Sequence, residues 1–385
     1  MKTQLTSVDL CVMAQELNSI LCSGRIDKVY QIGRKELKLR VHVSGAGSME
    51  LIIAPGYVCL TQFPRETPRE PSSFAMQLRK NLKGGFIREV RQHSFDRILE
   101  FVIETKEKKF ILITEFFSRG NVILCSSEKK IIGLLEWQKW RDRKLGVGQV
   151  YEHPPETRNP FEIDYPSFKE ILSSERKLVV VLAVDAGLSG VYAEEVCLLS
   201  GIDKSMKGGE LSSDEINTLF NSFKKMRDKI KGEIKPSVIL REGAPVDAVP
   251  FDLKVYEGLE KKSFKSFNEA VDEYFSEEEF NEVQRGREEK FLGELRKLSD
   301  IEEKQKEVIE KLEEKTVEYR KIGDLIYQNF QSIDKVLKVI NEGRKKGISW
   351  GSIEEKYGGK EFNGIRIEEI NNQGFIVLST VLNEK

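Results

Sequence analysis

Between Arg79 and Arg97 the chain carries six basic side chains, Arg79, Lys80, Lys83, Arg88, Arg91 and Arg97, against two acidic ones, Glu89 and Asp96. Cations at that density suit phosphate: Arg offers a planar fork of donors, Lys a point charge. On an ordinary solvated helix the same residues would hold nothing. Arg97 is the strongest candidate, because its fork can bridge phosphate oxygens or read a base edge. Asp96 is an acceptor. It either orients Arg97 through a charge-assisted hydrogen bond or accepts from a base amino group or a 2′-hydroxyl. The plainer reading of the two is a turn ion pair.

Other chemistries find no pattern. His42, His93 and His153 are far apart in sequence and in no metal-ligand spacing, so no metal is expected. No GxxxxGK[ST] loop, GxSxG elbow or Cys/His pairing argues for an NTPase or a nucleophile. Cys11, Cys22, Cys59, Cys125 and Cys197 form no CxxC pair and read as buried thiols in a reducing compartment. With no catalytic residue and no cofactor expected, binding remains.

The elements that must position these residues can be read from periodicity. A helix begins near Ser7 and Asp9, which could serve as N-cap or first-turn carboxylate, carries Leu10, Met13, Leu17, Ile20 and Leu21 on one stripe, and stops at Gly24. Strands alternate over Ile26 to Ile32, Glu36 to Val43, Met49 to Ala54 and Tyr57 to Gln62. Ser72 or Ser73 caps a short basic helix that breaks at Gly84 and Gly85. Closely spaced strands follow over Arg97 to Glu104, Lys109 to Glu115, Asn121 to Cys125 and Lys130 to Trp137, so the expected fold class is α+β with antiparallel hairpins. Trp137, Trp140, Arg141, Arg143 and Lys144 then form an exit segment that could stack a base, or simply bury tryptophans at a domain edge.

Pro154, Pro155, Pro160 and Pro166 mark a linker. After it, an apolar helix over Lys177 to Ala186, a turn Gly187-Leu188-Ser189-Gly190 and a helix over Val191 to Leu199 give a helix-hairpin-helix pattern, whose turn amides could hold phosphate. Glu194 and Glu195 oppose that, leaving a structural or protein-docking role equally open. From Leu295 a ladder of threes and fours runs through Leu298, Ile309, Leu312, Tyr319, Ile326, Phe330, Ile333 and Leu337 to Ile340, with Glu302, Gln305 and Gly323 as defects. It predicts a coiled-coil arm that needs a returning helix or a second molecule as partner.

Residues 1–150 hold 25 Lys and Arg against 16 Asp and Glu, and the remainder 37 against 47, within a total of 62 and 63. A basic head on an acidic shaft suits a polyanion ligand. The first residues lack an apolar signal core and no run approaches a membrane span, so a cytoplasmic location is expected. The reading gives domains over 1–153, 167–232, a connecting segment 233–275 that completes the head, a coil over 276–346 and a small segment over 347–385.

The ordered words PREPSS, FAMQLRK, GG and DRILEF, followed by GLSGVYAEEV, VPFDL and SFNEAVDEYF, resemble the NFACT family: NEMF of eukaryotes, RqcH of bacteria and their archaeal relatives, whose front domain is also labelled fibronectin-binding protein A, N-terminal. The resemblance, of archaeal type, covers nearly the whole chain but only the front half of the family's architecture, which implies a truncated piece or a split gene product. It implies a head similar to the glycosylase N-terminal domain, an Asp-Arg pair (here Asp96 and Arg97) needed for transfer RNA recognition, and an important acidic position at Asp9. It further implies a partner in the large ribosomal subunit obstructed by peptidyl-tRNA, and recruitment of tRNA for template-free tailing by the ribosome's own peptidyl-transferase centre. Glycosylase chemistry does not come with it, because Lys2 replaces the required proline and the zinc finger is missing. The alternative is a non-catalytic protein-binding adaptor acting through the coil.

Overall fold

The computed structural model describes residues 1–139 and 143–380, with side chains for all of these except 277–290. Helix α1 (Ser7–Leu21) starts with a reciprocal cap. Asp9 N donates to Thr6 Oγ1 at 3.2 Å, and the Asp9 carboxylate accepts from Thr6 N at 2.7 Å. The cap is therefore Thr6 and not Ser7, and Asp9 is the first-turn carboxylate, an acid at the third helical position that reaches back to the residue before the helix.

Two antiparallel meanders follow. Strands β1 (Arg25–Ile32), β2 (Glu36–Val43), β3 (Gly47–Ile53) and β4 (Val58–Thr61) form the first. Helix α2 (Ser73–Leu82), capped by Ser72, leads to the second: β5 (Phe86–Gln92), β6 (Ile98–Glu104), β7 (Lys109–Glu115), β8 (Asn121–Ser126) and β9 (Ile131–Leu134). Among the described residues they join as one sheet in the order β4-β3-β2-β1-β5-β6-β7-β8-β9. The seam between β1 and β5 is where the double glycine matters. Gly84 adopts φ +78°, and a Cβ on Gly85 would lie 2.9 Å from Ile103 Cγ2.

The sheet edge at β4 is closed by a later helix. Asn268 accepts from Leu60 N at 2.6 Å and donates to Leu60 O at 2.9 Å, and Asp272 accepts from Gln62 N at 2.9 Å. A side-chain amide thus takes the place of a neighbouring strand. Beyond β9 lie the two-residue strands β10 (Gln138–Lys139) and β11 (Lys144–Leu145); Trp140 and Arg141 fall outside the described residues, and Trp137 is exposed.

Helices α3 (Tyr165–Leu172), α4 (Leu178–Val180), α5 (Gly190–Ser200) and α6 (Ser213–Lys231) surround a second core. The apolar stretch after Lys177 is not one α-helix: α4 is short and continues as a π-helical turn, Val181–Asp185. A small sheet, β12 (Ser237–Arg241), β13 (Ala244–Val249) and β14 (Glu260–Ser263), follows. Helix α1 is buried on both sides: Leu10, Met13, Leu17 and Leu21 face the sheet core, while Val8 joins the helical one. Each such leucine contributes about 1.5–3 kcal/mol by leaving water.

Helix α7 (Phe267–Gln328) starts inside the sheet core, where Phe267, Ala270, Val271, Tyr274 and Phe275 are buried and Phe275 stacks on Tyr57 at 4.2 Å. The chain divides into two compact units, Met1–Val283 and Gln284–Lys385. In the second, Leu298, Ile309, Leu312, Tyr319 and Ile326 of the apolar ladder are exposed, so among the described residues no returning helix covers them. Ile340, at the ladder's end, lies on α8 (Phe330–Lys345) and packs with Ile353 of α9 (Trp350–Tyr357) and with Ile367 and Ile370 of β16 (Ile365–Ile370). β15 (Glu361–Phe362) and β17 (Ile376–Thr380) flank β16.

Candidate nucleic-acid interface

Asp96 and Arg97 sit in the tight turn joining β5 to β6, closed by His93 N to Ile98 O at 3.0 Å and Asp96 N to His93 O at 3.0 Å. Phe95 is the anchor. Its ring is buried in the helical core, edge-on to Phe161 at 5.7 Å. Gln92 Nε2 braces the same turn, donating to Asp96 O at 2.8 Å and to Ser7 O at 2.9 Å.

The two side chains then part. Asp96 is buried, and its Oδ1 accepts from the Thr157 hydroxyl and from Thr157 N at 3.3 Å. Its Oδ2 is buried and has no hydrogen-bond partner among the described residues. Arg97 is half-buried, and among the described residues no hydrogen bond or ion pair engages its guanidinium. Burial pulls its pKa down and the charge of Asp96 opposes that. The hydrogen bond expected from Arg97 to Asp96 is therefore not made: the carboxylate holds the linker, and acts on Arg97 through charge alone.

Beside the turn lies a groove of about 470 Å³ lined by Ser94, Glu156, Thr157, Arg158, Asn159 and Glu162, with Ser167 and Glu170 of α3. Its carboxylates outnumber Arg158. Such a wall repels bare phosphate and favours groups that donate hydrogen bonds.

The rest of the basic run is largely engaged by groups of the same fold, with Arg88 and Arg91 paired at the surface. Arg79 donates to Val29 O at 2.7 Å and lies over Tyr30 at 5.0 Å. Arg88 pairs with Glu104 at 2.7 Å; Arg91 pairs with Glu89 and with Glu100, both at 2.8 Å. Only Lys80 and Lys83, exposed toward the end of α2, match the expected free cations.

Asp9, expected to reach RNA, is fully buried. Lys2 Nζ lies 2.9 Å from Asp9 and 2.8 Å from Asp247, and the Tyr192 hydroxyl donates to Asp9 at 2.6 Å. Burial alone would lower the Lys2 pKa, but the two carboxylates raise it above its ordinary value. Asp9 therefore ties the N-terminus to α5 and β13. Gly187 and Gly190 are placed differently from each other. Gly187 takes φ +75°, and a Cβ there would meet Arg158 O at 2.4 Å, so this glycine lets the linker pack on the turn. Leu188 N and Ser189 N already donate to Leu182 O and Ala183 O, which removes two amides from any phosphate. Glu195 turns inward to accept from Val255 N at 3.0 Å, and Glu194 pairs with Lys204 at 3.0 Å.

Some neighbours of the site gave no sequence signal. Thr157 is one, since nothing local marks it as the partner of Asp96. The histidines are another: His93 and His153, 60 positions apart, stack at 3.4 Å between ring centroids. Glu100, bonded by His153 at 3.0 Å and by Arg91, completes that cluster. Burial raises the Glu100 pKa, but the bonds from His153 and Arg91 outweigh it and bring it down to about 2.

A family model described as NFACT N-terminal and middle domains matches residues 6–360. The chain belongs to this family. An archaeal Rqc2 homolog, aRqcH of Methanocaldococcus jannaschii, is 36% identical over 368 residues, covering 92% of this NFACT chain and 54% of its own length. The human ribosome quality control complex subunit NEMF is 25% identical over 408 residues, covering 99% of the chain and 37% of its own. The chain thus spans about half or less of these curated relatives. Among solved structures, the N-terminal part of a fibronectin/fibrinogen-binding protein from Streptococcus suis superposes with a TM-score of 0.57 at 27% identity, over 71% of this chain and all of that one. The two curated relatives carry ribosome quality-control names, and the NFACT chain shares the mixed α/β fold of the Streptococcus suis structure. No helix in the described residues is long and apolar enough to cross a membrane.

Proposed function

We propose that this NFACT chain binds the large ribosomal subunit obstructed by peptidyl-tRNA and holds a tRNA against the β5–β6 turn, recruiting it for template-free tailing of the stalled chain. The observation that supports this most is the half-buried guanidinium of Arg97, which no hydrogen bond or ion pair engages among the described residues. A donor fork left open on a tight turn can meet the acceptor edge of an exposed base as well as a phosphate, and single-stranded loops expose such edges. Lys80 and Lys83 would supply the salt-dependent backbone contribution.

On this reading the chain is not an enzyme, needs no cofactor, and works in the cytoplasm, with the bond-forming step left to the ribosome. The α4–α5 turn serves as a helix-hairpin-helix packed on the linker, and α7 as one arm of a coil. Co-sedimentation with large subunits, with and without bound tRNA, tests it. The parent should pellet with tRNA-bearing subunits and Arg97→Ala should do so several-fold less; equal pelleting of both, or of both subunit forms, would overturn it.

One observation favours a second reading. The exposed Leu298, Leu312 and Tyr319 of α7 suit a protein partner, as an adaptor would need. Pelleting that is lost on deleting α7 but unaffected by Arg97→Ala would support the adaptor instead.

A further inference from the structure

The geometry points to a transition-metal site at the base of the β5–β6 turn, built from His93, Glu100 and His153 with Glu156 as fourth donor, for a divalent ion of the zinc class. The ligand atoms of the first three all lie within 4.8 Å of one another. His153 Nε2 stands 3.0 Å from Glu100 Oε1, and His93 Nε2 stands 3.7 Å from Glu156 Oε1. These bracket the roughly 3.3 Å between donors on a tetrahedral ion with bonds of about 2.0–2.1 Å.

Three features argue for a ligand set and not a chance cluster. His93 Nε2 is buried and has no hydrogen-bond partner among the described residues, an unusual state for a ring nitrogen beside two carboxylates. Glu100 gives one oxygen to Arg91, whose Nε and Nη2 lie 2.9 and 2.8 Å from Oε2, and turns the other toward His153; outer hydrogen bonds of this kind orient a metal-binding carboxylate. Tyr151 holds the His153 ring edge-on at 4.9 Å. Two imidazoles and two carboxylates balance a divalent charge. Arg91 and Lys129 oppose it, which disfavours hard cations held by oxygen alone and leaves those that bond imidazole nitrogen. Binding requires the stacked rings to swing apart about χ2 and the exposed Glu156 to close in.

The consequence is local and mechanical. Glu156 precedes Thr157, which holds Asp96, so an ion here would fasten the linker to the turn that presents Arg97.

The test uses the full chain, stripped with a chelator and titrated with ZnCl2 by calorimetry, then with CoCl2 followed by visible absorption. One equivalent should bind, with the cobalt spectrum of a four-coordinate nitrogen and oxygen site. His93→Ala/His153→Ala should weaken binding by at least about 100-fold and Glu156→Gln by about tenfold, while His42→Ala, outside the cluster, should match the parent. Glu156→Gln alters an exposed side chain, so it reports even if the double variant does not fold. No saturable binding, or parent-like affinity in either cluster variant, would overturn the site.

Discussion

Two stretches of this head carry arginines in the same sequence window, and the fold treats them in opposite ways. In α2 and β5, Arg79, Arg88 and Arg91 are engaged by a carbonyl and by three glutamates. In the β5–β6 turn, no hydrogen bond or ion pair engages the Arg97 side chain among the described residues, and only the charge of Asp96 acts on it. Strand pairing makes the difference: the register sets Arg91 opposite Glu100 and brings Glu104 beside Phe86, within reach of Arg88. Charge counted along a chain therefore overstates a surface whose counter-ions arrive from the next strand.

The largest effect should fall outside both regions. Asp9→Ala removes one partner of the buried cluster with Lys2 and Tyr192 and should cost about 3–5 kcal/mol, read as a shift in the denaturant midpoint. Any loss of RNA binding in that variant would follow from the fold. Next, Arg97→Ala should keep the parent's midpoint while lowering tRNA affinity about tenfold or more, equivalent to about 1.4 kcal/mol.

Acid sharpens the comparison from the other side. The Glu100 carboxylate, held down to about 2, contributes stability that is complete above the unfolded value near ~4.3 and is lost as pH falls through about 2. His93, lowered by burial and by His153, adds a loss that starts below the unfolded value near ~6.5. Chemical denaturation across this range should show Glu100→Gln with a flatter acid limb than the parent; identical limbs would remove Glu100 from the account. Lys80→Gln with Lys83→Gln should weaken tRNA binding severalfold at low salt and reduce the salt slope by less than about 2. The smallest effect belongs to Arg88→Ala, an exposed and paired side chain, whose tRNA affinity should stay within about twofold of the parent.

Much of the scaffold was legible in the sequence because its signals are local. Alternation gave the strands of both meanders, and the double glycine marked the seam where one residue needs positive φ and the next a close neighbour. What depends on distant residues was hidden. Asp9 reads as a helix-start acid until Tyr192 and Lys2 arrive from other elements, and His93 and His153 look unrelated until the exit chain returns to β5. The same holds at the site itself. Arg97 could be picked out by type, but the role of Asp96 could not, since Thr157 lies across a proline-marked linker with no motif. Thr6 was missed as the cap because two better-known capping residues follow it.

The most direct measurement is a filter-binding titration of deacylated tRNA with the parent, Arg88→Ala and Arg97→Ala, each checked for a parent-like unfolding midpoint. Arg88→Ala should overlay the parent and Arg97→Ala should fall at least about tenfold short. If Arg97→Ala binds like the parent, or if both arginines lose affinity equally, the claim that the turn and not the basic run carries recognition is contradicted.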